Sequence, residues 1–173
     1  MDRWRIVPIL HIISAIWHPE SVVVSNPSLA HPGLSIEALL GGRRVLPAKP
    51  RTPLDWVSVI RQGIPAAAVD ALTRALRVSQ SELARAVGIP ERTLARRKKD
   101  GTLNSEETAK LVRLARVVGR TEEVFEGLDA ALDWLKSPNA ALAGATPLSL
   151  LDTDIGAESV LDTLGRIEHG VFA

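Results

Sequence analysis

The stretch from Ser79 to Lys99 is the tightest constraint on what this chain can become. Ser79 stands three residues before Glu82, the pattern of a capping box in which the hydroxyl takes an orphan backbone N–H and the carboxylate reaches back to the cap residue. A helix starts there, runs through Leu83, Ala84, Arg85 and Ala86, and stops at Val87-Gly88-Ile89; Pro90 then opens another helix, from Glu91 to about Lys99. With Gln80 as the first position, Ala84 is fifth, Gly88 ninth and Leu94 fifteenth, the spacing of a DNA-binding helix-turn-helix. The small residue lets the two helices approach, the glycine supplies the positive φ of the turn, and Leu83, Ile89 and Leu94 form the core between them. The eighteenth position, often apolar in such motifs, is Arg97, which shortens the buried stripe. On spacing alone, an αα-hairpin that packs and binds no nucleic acid stays open beside the DNA-binding reading.

What favours DNA is the solvent side of the second of these helices, where Arg92, Thr93, Arg96, Arg97, Lys98 and Lys99 follow closely. A guanidinium can read guanine with two hydrogen bonds, whereas Lys98 and Lys99 suit phosphate. Arg92 and Arg96, four apart, share a face with Thr93 and can enter a major groove together. One such motif contacts too few base pairs for useful specificity, so the expectation is a homodimer on a palindromic operator.

Charge divides the chain in the same way. Residues 1–50 carry a balance of +2, residues 51–120 of +7 and residues 121–173 of −8, which together hide in a net +1. A basic module suits phosphate; the acidic one suits a different partner, although solvated helix faces would also produce the split. No apolar run approaches the length of a membrane span. The absence of cysteine excludes disulfides, thiol nucleophiles and thiolate zinc sites, and fits a reducing compartment. Six aromatics leave little for single-strand stacking.

Residues 1–53 read as an irregular leader, with a short β-like piece at 21–25 and a Pro/Gly-rich run from Pro27 to Pro53, so the compact fold is expected to begin near Leu54. Arg3 and Arg5 before the apolar stretch from Ile6 to Trp17 imitate an export signal, but Pro8 and His11 interrupt it; the expectation is a cytoplasmic protein. Residues 54–120 make the helix-turn-helix domain. A helix from Ala66 to Leu76 precedes the motif, and a capping box of Asn104 and Glu107 opens a long helix after it. In residues 121–173, helices are expected over Asp129 to Leu135, after a Thr146 cap with Pro147 in the first turn, and along the stripe Val160, Leu164, Ile167 and Val171. The fold class is all-α.

The last third also carries Trp134-Leu135, Pro138-Asn139, Ala141-Leu142, Gly144, Thr146-Pro147-Leu148, Leu151, Thr153, Gly156 and the terminal Arg166-Ile167-Glu168-His169-Gly170-Val171-Phe172. This pattern resembles the toxin-binding domain of the Xre/MbcA/ParS family of type II antitoxins, and with the upstream motif the likeness covers residues 54–173. The resemblance implies an antitoxin that neutralises a RES-domain toxin, encoded next to it, that destroys NAD, and that represses its own operon. On that reading Arg166, Ile167, Glu168, His169, Gly170, Val171 and Phe172 form the toxin-binding segment. Glu168 would meet a cation at the toxin's active-site entrance, while Ile167, Val171 and Phe172 anchor it.

The residues offer no catalytic constellation, so the expectation is a non-enzyme without cofactors. Glu168 and His169 adjoin, but neighbours on a helix point about 100° apart and no third polar partner is in evidence. His11, His18, His31 and His169 lack paired ligand spacing, and Gly41-Gly42 has neither the strand nor the capped helix of a phosphate loop. The alternative is a stand-alone transcriptional regulator whose C-terminal domain dimerises.

Overall fold

The computed structural model describes residues 34–47 and 49–171. The expected β-like piece, the export-signal look-alike and Phe172 lie outside them. Eight α-helices occur among the described residues: α1 (Ile36–Leu39), α2 (Pro53–Gln62), α3 (Ala67–Leu76), α4 (Gln80–Ala86), α5 (Glu91–Asp100), α6 (Ser105–Phe125), α7 (Leu128–Lys136) and α8 (Asp154–Glu168).

Three of these helices start on a complete capping box. Ser79 with Glu82 opens α4 and Asn104 with Glu107 opens α6, as the spacing predicts, and Thr52 with Asp55 opens α2 ahead of Pro53. Backbone N–H donors hold the carboxyls of Glu82 and Asp55 below their usual values, Ser79 supplying the donor to the first and Arg51 and Thr52 to the second.

The long helix α6 is the centre of the molecule. α1, α2, α7 and α8 all pack on it, while α3, α4 and α5 form the compact motif beside it. Leu111, Leu114, Ala115, Val117 and Val118 of α6 are buried in one core with Leu72, Leu83, Leu94, Leu135 and Leu164. The expected boundary at residue 120 therefore falls inside a continuous helix.

The segment before α2 departs from the expectation of an irregular leader outside the compact fold. Ser35 caps α1, its Oγ accepting from the Ala38 N–H at 3.1 Å, and Leu39, Leu40 and Leu46 are buried with α3 and α6. The Leu34 N–H donates to Glu122 at 3.0 Å, and its carbonyl crosses α6 so closely that a Cβ on Gly119 would stand 2.9 Å from it. Gly119 thus marks a crossing point inside α6. Three leucines buried among glycines and prolines outweigh the composition of their neighbourhood.

Past α7 the expected helix after Thr146 is a short 3₁₀ turn, Pro147–Leu150. Thr146 does not cap it with its side chain; its carbonyl instead accepts from the Ser149 backbone N–H at 3.0 Å and hydroxyl at 2.7 Å, which closes the tighter i to i+3 turn. Trp134 is a half-buried packing residue whose ring lies 5.5 Å from that of Phe125.

Candidate functional site

The motif is built as its spacing requires. Ala84 is buried where α4 meets α5, Gly88 turns the chain at φ +59°, and Leu83, Ile89 and Leu94 close the small core. The turn also rests on the C-terminal half: Lys110 donates to the Gly88 carbonyl at 3.2 Å, and a Cβ on Gly88 would stand 3.2 Å from that of Asp152.

Helix α5 divides its cations between two tasks. Arg92, Arg96 and Lys99 are exposed, Thr93 is half-buried between them, and the three cations form no ion pair among the described residues. Arg97 turns inward instead, its Nε donating to both oxygens of Glu107 at 2.9 and 2.8 Å. This explains a cation at a usually apolar position, since the Glu107 side chain is only 9% exposed and needs a partner there. The same carboxylate accepts from the Asn104 N–H at 2.9 Å, so one group caps α6 and fixes α5 against it. Lys98 reaches Asp70 at 2.7 Å and Gln80 at 3.3 Å, tying α5 to α3 and to the start of α4. Sequence spacing marked Glu107 as a cap but gave no sign of its reach to Arg97, ten residues earlier.

At the other end, α8 is anchored inward by Ala157, Val160, Thr163 and Leu164. The terminal segment sits as follows. Glu168 pairs with Arg120 of α6, which also holds Glu123 at 3.1 Å, so its expected free carboxylate is engaged within the chain. Those two carboxylates push the Arg120 guanidinium above its usual value against the opposing effect of burial, which is the largest single influence. Arg166 is exposed and donates to Thr163 Oγ1 at 3.2 Å; Ile167 is half-buried; His169 Nδ1 lies 2.8 Å from the Gly165 carbonyl. Gly170, at φ +65°, ends the helix in a Schellman motif: its N–H donates to Ile167 O and that of Val171 to Arg166 O, leaving Val171 exposed. A shallow groove beside this end is lined by Leu161, Asp162, Gly165, Arg166, His169 and Val171.

Two further cations join the halves. Arg113 pairs with Asp154 and donates to the Asp152 carbonyl at 3.2 Å, holding the start of α8. Lys136 donates to the carbonyls of Leu76 at 2.8 Å and Arg77 at 3.3 Å, closing the end of α3. Among the described residues no group of three His, Asp or Glu side chains could hold a metal ion, and no helix is long and apolar enough to cross a membrane.

Comparison with known proteins assigns both regions. Residues 55–116 match the antitoxin Xre-like helix-turn-helix domain, and residues 120–170 match the antitoxin Xre/MbcA/ParS C-terminal toxin-binding domain. A protein of Yersinia enterocolitica named Antitoxin Xre is 37% identical over 130 residues, covering 74% of this chain and 86% of the relative. A Sphingobium protein named Prs ADP-ribosylating antitoxin is 31% identical over 132 residues, covering 70% of this chain and 83% of its own. Among solved structures, a chain of the M. tuberculosis MbcT-MbcA toxin-antitoxin complex is similar at 25% identity and a TM-score of 0.47, over 62% of this chain and 96% of that one.

Proposed function

This chain belongs to the Xre/MbcA/ParS family of type II antitoxins, and from that premise we propose that it neutralises a RES-domain toxin that degrades NAD by covering its active site, and represses its own operon as a homodimer. The observation that carries this reading is the division of charge between two surfaces of one folded unit. The exposed cations of α5 face outward at one place, and Glu158 and Asp162 of α8, exposed and without an ion pair among the described residues, at another. A site that accepts a dinucleotide pyrophosphate is electropositive, and an acidic domain of net −8 complements it in both steering and docking. The toxin-facing segment runs from Arg166 through Val171 to Phe172, with Val171 exposed as an anchor. The chain acts by binding, with no catalytic step of its own, and works in the cytoplasm.

On the DNA side, Arg92 and Arg96 read bases, Thr93 supports them and Lys99 holds phosphate. Arg97 and Lys98 position the helix through Glu107 and Asp70 rather than by touching DNA. This partition has a measurable signature in operator binding over a salt series. Alanine at Lys99 is expected to flatten the slope of log affinity against log salt by about one, whereas alanine at Arg92 or Arg96 is expected to cost about 1 to 3 kcal/mol of operator affinity and relax specificity at the base it reads. Lys98→Met is expected to leave the slope as it is. An unchanged affinity for Arg96→Ala would contradict the assignment.

A further inference from the structure

Ile155 is 79% exposed in the first turn of α8, the most exposed large apolar side chain among the described residues. At about 100° per residue it points roughly opposite Leu164, which is fully buried, so it stands at the centre of the helix's outer face. Glu158, Asp162, Gly165 and Arg166 fall within about 80° of it on the same face. The groove over Gly165, with Leu161 and Val171 in its walls, therefore lies about 15 Å along the same face.

Gly165 has no structural reason to be glycine. It sits inside a helix, where glycine is less stable than alanine, and a Cβ there would meet nothing within 4 Å. Gly119, by contrast, is forced by the Leu34 carbonyl. What a side chain at 165 would fill is the floor of the groove.

We propose that the toxin docks along the whole outer face of α8, seating Ile155 in an apolar recess at one end and entering the Gly165 groove at the other. The inference rests on the neutralisation reading above and extends it from the terminal segment to the entire helix. Area argues for it: a stable interface needs about 800 Å² and some 20 to 30 residues on each side, more than a tail of eight can supply. Charge argues for the same occupant, because Glu158 and Asp162 lie exposed between the two apolar features and suit a basic partner surface.

The test uses the full chain and the RES-domain protein encoded beside it, measured by surface binding, with operator affinity, thermal melting and light scattering as controls. Ile155→Glu is expected to weaken the complex at least tenfold, mainly through faster dissociation, with melting and operator affinity unchanged. Gly165→Ala is expected to raise the melting temperature and yet weaken the complex, two shifts that a purely structural role would not produce together. Wild-type affinity for both variants overturns the proposal. So does a change in self-association with toxin binding intact, which would make a second copy the occupant. Failure of the wild-type chain to bind would instead remove the neutralisation reading, and this surface with it.

Discussion

A chain that ends at Gly165 is expected to bind operator DNA as the full chain does and to leave its toxin active. The deleted segment supplies the half-buried Ile167 and the Glu168 carboxylate that pairs with Arg120, while α8 keeps Ala157, Val160 and Leu164 in the core. Arg120 is partly exposed and still has Glu123, so water and that carboxylate meet its needs. The loss falls on neutralisation: the exposed end of the helix, the groove wall at Val171 and the tail are gone. Growth arrest on co-expression with the toxin, together with an unchanged gel shift of operator DNA, is the expected pair of results. Retained neutralisation by this truncation would refute the placement of the tail over the toxin's active site.

Glu107→Ala is expected to destabilise the fold strongly, by several kcal/mol. It takes both Nε partners from Arg97, whose side chain is 23% exposed and keeps only Asp100 at 3.8 Å, and it removes the carboxylate half of the capping box of α6 while Asn104 still caps the helix. Breaking a buried pair from one side costs about 3 to 5 kcal/mol, and the Asn104 N–H loses its acceptor as well. Replacing both partners together, Arg97→Met with Glu107→Leu, is expected to recover much of the loss because no charge is left unpaired. Urea unfolding of the three variants reads this directly. A loss under about 1 kcal/mol for Glu107→Ala would show that the pair does not hold α5 in place.

The sequence carried the helix starts well because caps are local. Ser79 with Glu82 and Asn104 with Glu107 are each complete within four residues, and they start α4 and α6 where the spacing predicts. Thr52 with Asp55 is the same signal, obscured by a run of prolines and arginines around it. Leu39, Leu40 and Leu46 are hidden in the sequence for a related reason: a four-residue helix is too short to show a period, and the glycine and proline content around it is that of a loop. The sites were legible as residue types and not as roles. Which cations of α5 face outward depends on Asp70, 28 residues before Lys98, and on Glu107, ten after Arg97; the state of Glu168 depends on Arg120, 48 residues away. No local spacing reports such pairings. The exposure of Ile155 was likewise invisible, since an isoleucine at the start of a helix is an ordinary core residue until the packing is known.

Co-expression of this chain with the product of the neighbouring gene, following growth and cellular NAD, tests the central claim most directly. The account predicts that the neighbour alone depletes NAD and arrests growth, and that this chain restores both while forming a stable complex with it. A harmless neighbour, or a toxic one that this chain neither binds nor neutralises, would contradict the account and leave a DNA-binding regulator whose C-terminal domain serves another end.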